Sequence, residues 1–270
     1  MKIPSWIKQV YLMELRKIIT YRADFWVNFV GQTIFSILIS YFLWLSIFES
    51  NSATQINGYT LNKIIFYYLI VPIVFRIQQG ETIGAISGDI YNGTLNKYLL
   101  YPISFYTYKI TTYIANSTFF FLQLCTIALV YYFFINTDSN IKLSFINFLL
   151  FSIVLMVSSL TYFYLNSITE LIGFWADNIW SLGVITRFLT RFLGGGLIPL
   201  SFFPIWSVEL LQFTPFPYIV DFPMKVFFGD FTYVSYIQSL IILSLWTLLF
   251  RFISKTVWNR GQYQYTGIGI

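Results

Sequence analysis

The chain has 270 residues, 57% hydrophobic and 10% charged, with a mean hydropathy of +0.69 and a net charge of +5. A soluble domain is about 25% charged and must cover a large surface with polar groups, so a large water-soluble enzyme domain is excluded and a bilayer is the fitting solvent. Histidine is absent and Cys125 is the single cysteine, which removes histidine acid–base chemistry, the usual zinc sites and any intrachain disulfide.

The expected fold is all-α, a single polytopic membrane domain over 1–270 with six spanning helices. Residues 1–22 are interrupted by Lys8, Glu14, Arg16 and Lys17, so they are no signal peptide. Ile7, Tyr11, Leu15 and Ile18 form one stripe at 100° per residue, the pattern of an interfacial helix. Residues 25–48 carry no charge and are long enough to cross a bilayer. A second span covers 61–79, with Lys63 and Arg76 near its ends, where long side chains reach the headgroups. Residues 80–109 form the longest connection, mixing turn formers with an apolar patch that wants a partner or an inner-leaflet surface.

Further spans are expected over 110–135, 143–166, 178–199 and 231–250. The fifth contains Arg187 and Arg191, four residues apart and so on one helix face. A central membrane arginine costs on the order of 3 kcal/mol. Three readings stand: the pair lines a pathway, it is a structural ion pair, for instance with Glu170, Asp177 or Glu209, or it snorkels from a span shifted in depth. Arg76 and Glu81 are a further candidate pair. After Gly194, Gly195 and Gly196, the segment 200–229 is apolar but carries Pro204, Pro215, Pro217 and Pro223. No straight helix holds so many prolines, and two short helices dipping into the membrane from one side are expected.

Even-numbered spans with both ends inside leave ten basic residues in the cytoplasm (Lys2, Lys8, Arg16, Lys17, Arg22, Lys97, Lys109, Arg251, Lys255 and Arg260). Only Lys63, Lys142 and Lys225 remain outside. That asymmetry obeys the positive-inside rule and predicts cytoplasmic termini; the cell membrane of a prokaryote is a separate expectation. No Gly-x-x-x-x-Gly-Lys-Ser/Thr stretch occurs, so no phosphate-binding loop is present. The basic residues set topology and imply no nucleic acid.

Three stretches together resemble the membrane subunit of a type-2 ABC transporter. They are Tyr21-Arg22-Ala23-Asp24-Phe25, then Asn92-Gly93-Thr94-Leu95 with Tyr98-Leu99-Leu100 and Pro102, then Gly195-Gly196-Leu197-Ile198-Pro199-Leu200 with Phe203-Pro204, Pro215-Phe216 and Pro223. The resemblance implies a permease, most simply of an exporter, working by alternating access beside a second copy or a paralogous permease. It places ATP and magnesium on separate ABC ATPase subunits and gives this chain no catalytic, cofactor or metal site. It implies an ATPase-coupling segment with Asp89, Gly93, Thr94, Leu95, Lys97, Tyr98, Leu99 and Pro102. It further implies an external gate with Gly195, Gly196, Pro199, Pro204, Glu209, Pro215, Phe216 and Pro223. An ion-coupled secondary transporter is the alternative, and it would need mid-membrane carboxylates and inverted repeats.

Overall fold

The computed structural model describes residues 4–20, 22–80, 83–100, 103–130 and 144–265. Among these the fold is helical, with no strand. The chain runs through α1 (Ser5–Thr20), α2 (Arg22–Asn51), α3 (Leu61–Gln79), α4 (Ser87–Tyr91), α5 (Leu95–Leu100) and α6 (Phe105–Val130). It continues through α7 (Phe145–Leu171), α8 (Trp180–Leu193), α9 (Ile205–Leu211), α10 (Phe216–Ile219), α11 (Asp221–Phe228) and α12 (Tyr233–Gly261). Five of these, α2, α3, α6, α7 and α12, are long and apolar enough to cross a membrane.

Helix α3 is the axis of the bundle. It is apolar on every side and packs against α2, α6 and α7, so Ile64, Tyr67, Ile70, Ile73 and Val74 are all buried, the pattern of a helix without a solvent face. Thr60 caps its start by accepting from the Lys63 amide, and Gly80 ends it at φ +56°. A side chain at Gly80 would run into the Tyr113 ring. Helix α12 lies along α7, and α1 lies along α6. The α2–α3 loop and the start of α12 mark one end of the bundle, called the upper end below; α4, α5 and the C-terminus of α12 mark the lower end.

Lipid tails are as apolar as leucine, so helices in a bilayer are held by close packing and polar contacts across helices. The Tyr113 hydroxyl lies 2.6 Å from the Gln78 carbonyl and 2.8 Å from the Ser159 carbonyl, its one hydrogen shared between α3 and α7. Ser117 donates to the Ile77 carbonyl, and the Thr161 and Thr247 hydroxyls meet at 2.6 Å between α7 and α12.

The region expected as one span over 178–199 contains a helix of only 14 residues, about 21 Å long and short of a hydrocarbon core of about 30 Å. Glycines end it. Gly195 sits at φ +88°, and a side chain on Gly194 would strike the Thr190 carbonyl and the Phe216 carbonyl. Beyond them, 200–229 is not two helices but a 3-10 turn (Leu200–Phe202) followed by α9, α10 and α11. Prolines set these starts: Pro199 precedes the turn, Pro204 precedes α9, Pro215 precedes α10, and Pro223 lies in the first turn of α11. A proline lacks only an amide that a helix start leaves unbonded, so it suits a beginning and breaks a continuation.

Candidate coupling and translocation sites

At the lower end, α4 and α5 are clamped between α6 and α7 by two buried charges. Glu170, in the last turn of α7, is fully buried. Its carboxylate accepts from the backbone amides of Gly84 (3.2 Å), Ile86 (2.6 Å) and Ser87 (3.3 Å), and from the Asn166 amide (2.8 Å). Helix α4 has no side-chain cap of its own, so a carboxylate from another helix takes up the amides that its start leaves open. Lys109 of α6 works from the other side. Its ammonium pairs with Asp89 at 2.9 Å and donates to the Ala85 carbonyl at 2.6 Å. Asp89 in turn accepts from Thr94 at 2.6 Å, and Tyr91 donates to the Ala176 carbonyl beyond α7.

Apolar contacts fill the space around these charges. Leu95 is fully buried in a cluster with Ile86, Ile90, Phe105 and Leu171. Phe105 stacks on Trp258 at 4.5 Å. Gly93, at φ +68°, makes the turn between α4 and α5. The outer surface of α5 stays open: Leu100 is 83% exposed, and Lys97, also exposed, lies over the Tyr98 ring at 4.7 Å. Asp89, Gly93, Thr94, Leu95, Lys97 and Tyr98 are thus one structural unit. Pro102, Glu81 and the side chain of Leu99 lie outside the described residues.

At the upper end the holding contacts are of another kind. Tyr67 donates to the Gly195 carbonyl and Tyr68 to the Leu197 carbonyl, both at 2.7 Å, so α3 grips the glycine turn through its backbone. Phe202 packs on Trp44 at 4.9 Å and on Tyr59 at 5.9 Å. Lys63, buried in the first turn of α3, pairs with the half-exposed Asp230 at 2.6 Å. Asp221 is buried and pairs with the exposed Lys225 at 2.7 Å. Burial, with Asp221 and Asp230 nearby, pushes the Tyr59 phenol above its ordinary range, so it stays neutral. Gly196 lies against the Phe75 ring, and Pro199, Pro215, Phe216 and Pro223 pack inside this region. Glu209 and Pro204 are exposed on and before α9.

The segment also changes depth. Asp230 meets the start of α3, whereas the Ile219 carbonyl accepts from Gln78 at its end, at 2.5 Å. Gln78 donates as well to Ser158 at 3.1 Å, midway along α7. Rising from the other direction, Gly183 near the start of α8 faces Ile83, and Phe202 beyond its end reaches Tyr59 at the top.

Arg187 and Arg191 face the interior side of α8, with Thr190 buried beside them and Leu182, Ile185, Phe188 and Leu189 exposed opposite. The Arg191 guanidinium sits 5.0 Å over the Phe75 ring, a cation–π contact, and both arginines lie within electrostatic reach of Tyr162. Among the described ion pairs, neither arginine meets Glu170, Asp177 or Glu209. Glu170 is occupied by backbone amides, and Asp177 and Glu209 are exposed. Glu170, offered as one of three possible partners of the arginines, sits on backbone amides, and the contacts of Lys109, Tyr67 and Tyr68 carry no motif that announces them. The one available signal for Glu170 was its isolation, as a lone charge ending the otherwise uncharged run from Phe145.

Two comparisons bear on identity. No curated protein matches the chain. A family model described as ABC-2 family transporter protein matches residues 34–269.

Proposed function

The chain belongs to the ABC-2 family of transporter proteins, membrane transport subunits of ABC transporters, and from that membership we propose that it is the permease of an ATP-driven exporter. It crosses the membrane six times with both termini in the cytoplasm of a prokaryote. The fifth crossing is α8 continued by the glycine turn and the 3-10 turn, in keeping with the contacts from Ile83 up to Tyr59. Helices α10 and α11 form a re-entrant loop from the outer side, in keeping with the contacts of Ile219 and Asp230 at opposite ends of α3. Two such subunits, a pair of copies or this chain with a paralogue, enclose the pathway, and Arg187 and Arg191 line it.

ATP and magnesium are handled by separate ABC ATPase subunits that dock on α4 and α5. The observation that carries this reading is the clamp. A short helical pair is fixed to α6 and α7 by buried Glu170 and Lys109, while its far side presents Lys97 and Leu100. A surface pushed there moves α6 and α7 with it. Closure of the ATPases would therefore reach the pathway without a flexible link, and alternating access follows by movement of whole helices.

The reading is tested with a cysteine at Asn96 on the open face of α5, in a chain purified under mild detergent. A crosslink to a protein carrying a phosphate-binding loop is expected, lost when Lys97→Glu and Leu100→Glu are combined. A chain that purifies alone and yields no such crosslink contradicts the reading. For the pathway, Arg191→Gln should lower ATP-dependent export at least about tenfold with assembly intact. Undiminished export from the Arg187→Gln, Arg191→Gln double variant rejects that role.

A further inference from the structure

A cleft of about 420 Å³ lies between α1 and α6, closed below by the α3–α6 connection. Glu14, Lys17 and Ile18 line it from α1, and Tyr108, Asn116 and Phe120 from α6. The helix supplying the first three lies outside the family match at 34–269.

The Glu14 carboxylate is only 12% exposed, yet its one partner among the described residues is the Lys17 ammonium, 3.7 Å away and itself 67% exposed. A carboxylate withdrawn from water to that extent is normally met by close donors. Across the cleft, the Asn116 amide and the Tyr108 hydroxyl have no hydrogen-bond partner among the described residues, and both lie on the wall. Asp89 and Lys109, also at the wall, are already paired with each other. What remains is an acceptor anion held only by one long ion pair, its exposed ammonium partner at the rim and two neutral polar groups, beside apolar Ile18 and Phe120.

We propose that this cleft binds a zwitterionic amphiphile through a headgroup carrying a primary ammonium beside a phosphate, as in phosphoethanolamine. The ammonium meets Glu14, the phosphate meets Lys17 and the Asn116 amide, and the acyl chains leave past Ile18 and Phe120 into the leaflet that α1 lies on. Because Asp89 and Tyr98 of the coupling segment share the cleft wall, an occupant touches α1 and that segment together. The proposal goes beyond the exporter reading and does not rest on it, since its readout is binding.

The test is native mass spectrometry of the full chain in nanodiscs of equal phosphatidylethanolamine and phosphatidylglycerol. Phosphatidylethanolamine should be retained about fivefold over phosphatidylglycerol, the scale of one modest ion pair. Glu14→Gln should abolish the preference and Glu49→Gln should keep it. Asn116→Leu should weaken it too, and decides the matter by the same readout if Glu14→Gln fails to fold. Release by soluble phosphoethanolamine assigns recognition to the headgroup alone; retention in its presence assigns it to the intact lipid, and either result supports the site. Equal retention of the two lipids by the unaltered chain, a preference for phosphatidylglycerol, or an undiminished preference in Glu14→Gln overturns it.

Discussion

The two ends of this bundle are held by different chemistry. Below, the α4–α5 pair is fastened by buried charge, with Glu170 on three backbone amides and Lys109 on Asp89 and the Ala85 carbonyl. Above, the glycine turn and α11 are fastened by tyrosine hydroxyls, aromatic rings and two ion pairs, Lys63–Asp230 and Asp221–Lys225, each with one partner about half exposed. Hydrogen bonds to a buried charge are worth roughly twice a neutral one, and breaking them leaves an uncompensated group. A half-exposed pair is worth about 1 kcal/mol or less. The lower end is therefore the more firmly fastened of the two, and the upper end the more easily released.

That contrast can be broken at graded cost. The largest effect is expected from Glu170→Ala, which strands two buried amides and one half-buried amide and should lower unfolding stability in detergent by about 3 kcal/mol. Glu170→Gln, with one acceptor oxygen left, should lose roughly half as much. Gly194→Ala follows: its methyl would press on the Thr190 and Phe216 carbonyls, costing about 2 kcal/mol by overpacking and showing as a lowered thermal midpoint. A double-mutant cycle on Asp89→Asn and Lys109→Met should give a coupling of about 1.5 kcal/mol, because both side chains are largely buried. The same cycle on Lys63→Met and Asp230→Asn should give less than about 1 kcal/mol, since Asp230 is half exposed. Smallest is Tyr68→Phe, which removes one neutral interhelical bond and should cost about 0.6 kcal/mol. Equal couplings at the two ends would erase the comparison.

Much of this architecture is legible in the residues. Thr60 and Gly80 bracket α3 as cap and stop, and the prolines at 199, 204 and 215 stand where short helices begin. Other features leave no local trace. Glu170 reaches Gly84 across 86 residues of chain, and its partners are backbone amides, which every residue carries. Helix α8 reads as a full span by hydropathy because Leu197, Ile198 and Leu200 continue the apolar run. The positive φ of Gly195 and the closeness of Gly194 to Phe216 are tertiary facts that stop it early. Arg187 and Arg191 are visible as an expense to the bilayer; the Phe75 ring beneath Arg191 is not.

The most direct test of the contrast between the ends is a pair of spin-label distances in the chain assembled with an ABC ATPase, the partner proposed above, with and without a non-hydrolysable ATP analogue. One pair, Asn92 and Asp177, joins the α4–α5 turn to the connection between α7 and α8. The other, Gln212 and Thr54, joins the proline-rich segment to the α2–α3 loop, and all four positions are exposed. The account predicts an unchanged lower distance and an upper distance that shifts or broadens when the analogue binds. A lower distance that changes while the upper one holds would contradict it.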